Sequence, residues 1–359
     1  MKRHSGFALV TVFLMLTVAT LLVSQIYFKG LTYNTFIPAA VDREQAKLLA
    51  RSGIQIALNQ LSLADSQFFS DKKDNQKDSS KNTPEEKDPI KRAKNLLSFL
   101  LKVQHRWQSF EFDSARDGLD GTLKLCISCE EGKIPVKALI DGQKRTFASL
   151  GNTGKNSEEL FKILFSRMKE LCLKKDLYPS FEKYIKERKF NWVDVTDVCA
   201  YEGFESLSSF LFYAPEQLRE GLAPKNVYWS DLFTVWVDTQ TVHPLLFSPS
   251  VQRVFDLNQD QIASDSFEDQ HKKIVDKLDL QLSAWHADWD NYLEPLYQKD
   301  YARLPKELIA LLSTKFEPRV FSVLCYGKVG KIEQKLLAII VRTFDKKGEV
   351  FEVKKLYWL

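Results

Sequence analysis

The chain of 359 residues carries 51 basic and 47 acidic side chains, which gives a formal charge of +4 at pH 7. Apolar residues make up 44% of the sequence and charged residues 27%, a balance typical of a globular protein with about two structural units. The near-neutral charge argues against a nucleic-acid surface. The five cysteines are too few for a disulfide-dense scaffold, and their odd number leaves at least one thiol unpaired within the chain.

The N-terminus predicts a membrane-spanning segment. Residues 7–28 contain no charged side chain, and Lys2 and Arg3 precede them. A helix of this length spans about 33 Å, enough to cross a hydrocarbon core of about 30 Å. The two basic residues should stay on the cytoplasmic side. We therefore expect residues 7–28 to span the membrane and the remainder to lie beyond it.

The order of residues around this run leaves three interpretations open. A secretory signal is cut after its apolar segment, at small residues, and Thr17-Val18-Ala19 offers such a site. However, the apolar run continues through residues 21–23. A plain uncleaved anchor is the second interpretation. The third interpretation is a signal that is cut before the apolar run, so that the run is kept. Gly6 suggests it, because this small residue stands before the run instead of after it.

The apolar helix is predicted to continue into an amphipathic half, giving one long helix over residues 7–65. Lys29-Gly30 and Pro38 interrupt the apolar run without having to end the helix. Beyond them, apolar residues recur at spacings of three and four, which marks one helical face. These residues are Ala46, Leu49, Ala50, Ile54, Ala57, Leu58 and Leu61. Residues 71–94 contain almost no apolar side chain, and we predict a disordered linker over residues 66–94.

The rest of the chain predicts an α+β fold. Residues 95–103 predict a short helix, residues 107–112 and 122–128 predict strands, and helical spacing dominates from about residue 156 to residue 312. Within that region the clearest helices are predicted over residues 158–173, 180–189, 193–201, 205–213 and 267–293. Three further strands are predicted at 319–326, 336–344 and 350–358. We expect one antiparallel sheet, formed by residues 95–150 and 315–359, with a large all-α domain inserted over residues 151–314.

No catalytic or cofactor motif stands out. The sequence contains no HExxH, GxSxG or phosphate-binding loop. Cys126 and Cys129 form a C-x-x-C pair on a predicted strand, where residues three apart point to opposite faces. We expect a structural role for them, with a disulfide to a distant cysteine as the alternative. The prediction is a non-enzymatic protein without a catalytic residue, cofactor or metal.

The leader, in which Gly6 and Phe7 precede an apolar helix, resembles the class III signal of type IV pilins and type II secretion pseudopilins. The whole layout resembles the K-type minor pseudopilin of type II secretion systems, the general secretion pathway protein K family. Besides the leader, the segments that carry this resemblance are Arg51-Ser-Gly-Ile-Gln-Ile-Ala-Leu58, Glu130-Glu-Gly-Lys-Ile-Pro-Val-Lys-Ala-Leu-Ile140, Asp231-Leu-Phe-Thr-Val-Trp-Val237 and the three terminal strands.

The resemblance implies a pilin-like fold and a place at the tip of a secretion pseudopilus. Residues 1–6 would be a leader removed by prepilin peptidase, which cuts after Gly6 and methylates Phe7. The chain would be a single-pass protein of the bacterial inner membrane with a periplasmic head. Its partners would be other minor pseudopilins, the major pseudopilin and the inner-membrane secretion platform, with no nucleic acid. The alternatives are a minor subunit of a type IV or competence pilus, or a single-pass envelope protein with a binding or enzymatic domain.

Two further expectations come from the resemblance. Thr11 is the fifth residue after the cut, where most pseudopilins hold a glutamate that neutralises the N-terminal amine of the adjacent subunit. K-type proteins lack this acid, because a tip subunit has no neighbour above it. Calcium sites occur in the family; Asp194 with Asp197, or Asp288 with Asp290, could supply oxygen ligands, but their spacing is not that of an EF-hand and we assign no site.

The leader makes a direct prediction about processing. We expect the mature protein to begin at Phe7, and Gly6→Val to abolish the cut because the glycine directly precedes the scissile bond. Mass spectrometry of the membrane-extracted protein measures this. An intact Met1, or a terminus at Thr20, would contradict the class III interpretation.

Overall fold

The computed structural model describes residues 5–66, 89–150, 155–173, 175–187, 192–212, 226–257, 275, 285–345 and 348–359. Within these ranges the α-helices are α1 (Ser5–Ser66), α2 (Pro89–Val103), α3 (Ser114–Asp117), α4 (Ser157–Met168), α5 (Tyr178–Glu187), α6 (Trp229–Leu232), α7 (Pro249–Val254), α8 (Trp285–Tyr292), α9 (Glu294–Tyr297) and α10 (Lys306–Ile309). The strands are β1 (Trp107–Phe112), β2 (Gly121–Cys129), β3 (Ile134–Pro135), β4 (Ile140–Asp141), β5 (Thr146–Phe147), β6 (Ser149–Leu150), β7 (Lys155–Asn156), β8 (Phe233–Thr234), β9 (Val320–Val329), β10 (Ile332–Asp345) and β11 (Gly348–Trp358).

Helix α1 is one continuous helix of 62 residues, about 90 Å long at 1.5 Å per residue. It runs through Gly30 and through Pro38, which lies inside it. Helix α2 begins at Pro89, inside the segment predicted as linker; proline suits a first helical turn because the amide hydrogen it lacks would have no partner there. Residues 67–88 of the predicted linker lie outside the described part.

Five strands form one antiparallel sheet in the order β1-β2-β9-β10-β11. Phe110 pairs with Leu123 in the first strand pair, and Leu125 pairs with Cys325 where β2 meets β9. The three C-terminal strands therefore join the two early strands in a single sheet. This confirms the predicted α+β fold class, with a long N-terminal helix, an antiparallel sheet and a helical region inserted between two neighbouring strands.

The sheet is the middle of three layers. One face packs against the second half of α1 through fully buried side chains such as Leu125, Val323 and Ala338. The opposite face is covered by the insertion, where Tyr228 packs with Leu324 on β9. Burial on both faces explains why β9 has eight consecutive buried residues at its start instead of alternating buried and exposed ones.

The second half of α1 lies unusually close to the sheet because the facing residues are small. Ala46, Ala50 and Ala57 are completely buried. A Cβ placed on Gly327 of β9 would lie 2.1 Å from the Ala46 carbonyl oxygen and 2.8 Å from the Ala50 nitrogen. On the helix side, a Cβ on Gly53 would lie 2.8 Å from the Cys325 sulfur. Helix backbone and strand backbone are therefore in direct contact at Gly327.

The insertion differs from the long helices that the sequence predicts. Residues 193–201 and 205–213 were expected as α-helices, but they form the short 3-10 helices Val195–Ala200 and Glu205–Phe210. The described insertion also contains short strand pairs, β4 with β5 and β6 with β7, and strand β8, which pairs with β3 in parallel. Large aromatic side chains hold these short pieces together: the rings of Phe165 and Phe181 are 4.9 Å apart. Most of the helix predicted over 267–293 lies outside the described residues.

The contact at Gly327 predicts a large effect from one added methyl group. Gly327→Ala should lower the free energy of unfolding by about 3 kcal/mol, because the new Cβ must push the α1 backbone off the sheet. Urea unfolding in detergent, followed by tryptophan fluorescence, measures this. Gly30→Ala is the matched control, because no atom lies within 4 Å of its Cβ position. Equal unfolding curves for the two variants would contradict the close contact.

Candidate functional site

The first half of α1 projects from the head with its apolar surface uncovered. Every large apolar side chain between Val12 and Val41 is at least 44% exposed. By contrast, the apolar residues of the second half that face the sheet, from Ala46 to Ala64, are almost completely buried. A continuous apolar surface of this size is not stable in water. Lipid or another apolar protein surface must cover it.

Three hydroxyl groups of the projecting half are satisfied within the helix itself. Thr17 donates to the Phe13 carbonyl oxygen at 2.9 Å, Thr20 to that of Leu16 at 2.9 Å, and Ser24 to that of Leu21 at 2.9 Å. A polar group in a bilayer needs such an internal partner, because no water is present there. The described part of the chain contains one helix that is long and apolar enough to cross a membrane, and an 18-residue stretch of it has a mean hydropathy of 1.7.

The processing residues named by the sequence lie at the start of this helix. Gly6, Phe7 and Thr11 belong to the first two turns of α1. Side chains from residue 5 to residue 11 lie outside the described part, so the roles expected of these three residues stay predictions.

A second cluster lies where the insertion leaves the sheet, in the segment Glu130–Ile134, which we call the junction. Here the backbone of the 3-10 helix Glu130–Gly132 contacts residues 243–248 directly. The His243 amide donates to the Glu131 carbonyl oxygen at 2.8 Å, and the Ser248 amide donates to that of Gly132 at 3.1 Å. A Cβ on Gly132 would lie 1.6 Å from the Leu246 oxygen. Only glycine fits this position.

Lys133 and Glu130 form a buried ion pair in the junction. The Lys133 Nζ lies 2.5 Å from Glu130 Oε1, and both side chains are less than 5% exposed. The ammonium group also donates to the Ser230 carbonyl oxygen at 2.9 Å and to the Ser322 hydroxyl at 3.1 Å. A buried charge requires such a full set of partners. Lys133 therefore joins the junction to the insertion and to strand β9.

Glu131 anchors the point at which the chain returns to the sheet. Its Oε1 accepts hydrogen bonds from the backbone amides of Arg319 at 2.7 Å and Val320 at 3.1 Å, at the start of β9. The Cys129 thiol donates to its Oε2 at 3.0 Å. Burial raises the pKa of Glu131 above its usual value. The two ends of the insertion are thus tied to each other through one carboxylate.

A small cavity of about 30 Å³ lies between the sheet and the insertion beside the junction. Its lining includes the polar residues Ser128, Lys133, Asp231 and Ser322 together with apolar side chains. Next to it, His105 Nδ1 lies 3.1 Å from the Ser128 hydroxyl and 4.0 Å from Asp231 Oδ1. Burial lowers the pKa of His105 to about 4, although Asp231 acts in the opposite direction. The space suits about one water molecule. The hydrogen bonds around this space hold the two layers together.

The five cysteines are all free thiols. Burial raises the pKa of Cys126 and of Cys325 to about 12, and that of Cys172 and Cys199 to about 11. A reactive cysteine has a lowered pKa, so these groups behave as core residues. The alternative of a disulfide from the C-x-x-C pair is not seen.

The carboxylates considered for calcium have other partners or lie apart. Asp194 and Asp197 form the capping box of a 3-10 helix: the Asp194 side chain accepts from the Thr196 amide, and Asp197 Oδ2 accepts from the Val193 amide at 2.8 Å. Asp288 and Asp290 lie on α8. Among the described residues, no three or more His, Cys, Asp or Glu side chains are grouped closely enough to hold a metal ion.

His243 is a buried group that the sequence did not single out. Its ring is 3% exposed and lies edge-on to Trp285 and Phe316, with ring centroids 5.9 and 5.2 Å away. Neither ring nitrogen has a hydrogen-bond partner in the described part of the chain. Burial lowers the pKa of His243 to about 3. The imidazole therefore occupies an aromatic site as a neutral ring.

The comparison with known proteins gives a likeness in structure but not in sequence. No family model and no curated protein matches the sequence. A chain from the crystal structure of the GspK–GspI–GspJ complex of the enterotoxigenic Escherichia coli type 2 secretion system aligns with 74% of this chain and 91% of its own length, at 13% identity and a TM-score of 0.34. General secretion pathway protein K, the family that the sequence resembles, is one of the three proteins of that complex. A likeness at this level does not assign a function.

The environment of His243 predicts a pH-dependent effect. His243→Phe should stabilise the head by about 1–2 kcal/mol at pH 7, because two buried polar atoms without partners are removed. Below pH 6.5, the ordinary pKa of histidine, His243 is protonated in the unfolded chain. In the folded head it stays neutral down to about pH 3, because burial lowers its pKa. The native protein therefore loses stability on acidification, and the variant's advantage should grow by about 1.4 kcal/mol per pH unit.

Urea unfolding of both proteins at several pH values between 8 and 5 measures this difference. Unfolding free energies that fall in parallel as the pH is lowered would show that His243 does not titrate differently in the folded head.

Proposed function

We propose that this chain is a minor pseudopilin of a type II secretion system, anchored in the bacterial inner membrane before assembly and placed at the tip of a periplasmic pseudopilus afterwards. The observation that carries the proposal is the division of α1. Its second half belongs to the core of the head, whereas every large apolar side chain from Val12 to Val41 in its first half is exposed and the hydroxyls of Thr17 and Thr20 are bonded within the helix. Such a half-helix can exchange lipid for other helices without any change in the head.

The length of the exposed surface favours assembly over a plain anchor. The apolar residues from Val12 to Val41 extend over about 45 Å of helix, whereas a bilayer core needs about 30 Å. Lipid alone leaves the last turns before the head uncovered. A second apolar partner, a helix of another subunit, accounts for the excess.

The buried polar groups of the head favour a structural role over an enzymatic one. Lys133, Glu131 and Asp231 each bond to the backbone of another segment, at Ser230, Arg319 and Ser250. The neighbouring Cys126 thiol has a pKa of about 12. These groups hold the insertion on the sheet, which is what a rigid subunit of a filament requires.

The placement at the tip rests on Thr11 and on the insertion. A threonine at the fifth position after the cut cannot neutralise the amine of an adjacent subunit, and an unpaired charge in an apolar filament core is costly. A bulky insertion on one face of the sheet would also be hard to repeat along a thin filament. The proposed partners are other minor pseudopilins, the major pseudopilin, the prepilin peptidase that processes Gly6–Phe7 and the inner-membrane secretion platform, in support of protein export across the outer membrane.

Labelling of sheared filaments tests the tip position. The protein should be found at one end of each filament, at very few copies, with the major subunit labelled along the shaft as the control. Thr11→Glu should leave this distribution nearly unchanged, because the added acid finds no amine above it and can stay protonated. Label along the whole shaft would contradict the proposal.

Identification of the proteins that co-purify from membranes separates the alternatives. Other type II secretion pseudopilins are expected. Subunits of a type IV or competence pilus would point to the related assembly, and an intact Met1 with no filament subunit bound would point to an envelope protein with a plain anchor.

A further inference from the structure

The buried charges of the head lie on the insertion side of the sheet. In the described part of the chain, the buried charged and histidine residues are Glu130, Lys133, Asp194, Asp231 and His243. They belong to the junction and the insertion, and none of them belongs to α1, β10 or β11. On the opposite face, α1 packs on the sheet through apolar side chains. A change in pH should therefore act first on the contact between the insertion and the sheet.

Residues 242–248 of the insertion, which we call the clasp, collect hydrogen bonds from several elements. Two amides of the clasp donate to carbonyl oxygens of the junction. Gln104, just after α2, donates from Nε2 to the Leu245 carbonyl oxygen at 3.2 Å. The Tyr297 hydroxyl of α9 donates to the Pro244 carbonyl oxygen at 2.5 Å. The clasp therefore fastens the insertion to the junction and to the segment between α2 and β1.

One buried imidazole lies within the clasp. His243 is enclosed by Trp285 and Phe316, which face it with their rings. Among the described residues, no charged group acts on the pKa of His243, and burial alone lowers it to about 3. A protonated ring at this position would be a charge without a partner in an aromatic site, which is costly.

A second buried imidazole borders the clasp from the other side, where the ring of His105 contacts the backbone of Leu246. The charged groups that act on this ring are Asp231 on α6 and Lys133 and Glu130 in the junction. Burial lowers the pKa of His105 to about 4, and Lys133 acts in the same direction, whereas the two carboxylates act against it. Both imidazoles are therefore neutral at pH 7 while the clasp is closed.

We propose that the clasp is acid-sensitive: protonation of His105 and His243 releases the insertion from the sheet, while α1 stays packed on the other face. In contact with water both rings have the ordinary pKa of 6.5, so the released insertion takes up two protons that the attached one excludes. Each histidine makes release about tenfold more favourable for every pH unit below about 6. The attached form loses this stability as the pH falls, down to the folded pKa of each ring.

Glu131 acts in the opposite direction. Burial raises its pKa, so this carboxylate gains a proton more easily in the attached insertion than in the released one. Acid therefore favours attachment at Glu131, while it favours release at the two histidines. Substitution of the histidines leaves Glu131 in place and separates the two contributions.

Two buried cysteines distinguish release of the insertion from unfolding of the head. Cys126 lines the cavity between the sheet and the insertion, whereas Cys325 lies beneath α1, against Gly53. Both are free thiols and are almost completely buried. Release of the insertion exposes Cys126 and leaves Cys325 covered, whereas unfolding of the head exposes both.

Thiol labelling of the full-length protein in detergent tests the proposal. A dithiodipyridine reagent, which reacts with thiols even in acid, is applied between pH 7 and pH 5, and peptide mass spectrometry gives the rate at each cysteine. Each rate is divided by that of the urea-unfolded protein at the same pH. From pH 7 to pH 5, labelling of Cys126 should rise by about a hundredfold or more and exceed that of Cys325. A constant Cys126 rate, or equal rates for the two thiols, overturns the proposal.

Substitution of the two histidines identifies the groups that respond to acid. His243→Phe and His105→Asn should each reduce the rise in Cys126 labelling by about tenfold. Asparagine suits the second position, because His105 has a positive φ of 59°. His286→Asn, at an exposed position on α8, is the matched control and should leave the rise unchanged. A full rise in the double variant overturns the proposal. Thermal unfolding at pH 7 checks that each head is folded; if a variant is not, the comparison of Cys126 with Cys325 in the native protein still decides.

Discussion

The contact between the backbones of α1 and β9 is the constraint on which the rest of the structure depends. Helix and strand can meet at Gly327 only because that residue has no side chain and because alanines face it from the helix. This contact places β9 under the axis of α1 and makes it the central strand of the sheet. Strands β1 and β2 then lie on one side, and β10 and β11 on the other. The reciprocal side-chain hydrogen bonds of Gln60 with Gln108 hold α1 to the β1 side.

The same arrangement explains how a large insertion is tolerated. Cys129 at the end of β2 pairs with Phe321 near the start of β9, so the insertion leaves and re-enters the sheet at adjacent positions. Its ends are held together by the sheet itself, and the entropy of closing so long a loop grows only slowly with its length. Glu131 and Lys133 then fix the insertion to both strands. The two ends of the insertion are therefore held on the sheet, while the large apolar side chains of the first half of α1 stay exposed.

Much of this architecture could be predicted from the sequence because it depends on periodicity. Spacings of three and four identify the buried face of α1, and alternation identifies the five strands. The junction could be located, since Glu130–Ile140 stood out, but its role could not be derived. Whether Glu131 contacts solvent or the amide of Arg319 depends on residues 188 positions apart. His243 was not identified for the same reason, because no local pattern shows that Trp285 and Phe316 enclose it. The helices predicted over 193–201 and 205–213 were wrong in type, since capping by Asp194 and aromatic packing favour short 3-10 turns there.

The division of α1 into a packed half and a projecting half is the central claim, and removal of the projecting half tests it most directly. A variant that begins at Asp42 should be a soluble monomer whose head unfolds at the same urea concentration as the full-length protein in detergent. That result would show that residues 1–41 contribute to membrane and partner contacts and not to the fold of the head. A truncated protein that aggregates, or that unfolds at a clearly lower urea concentration, would show that these residues pack on the head and would contradict the account.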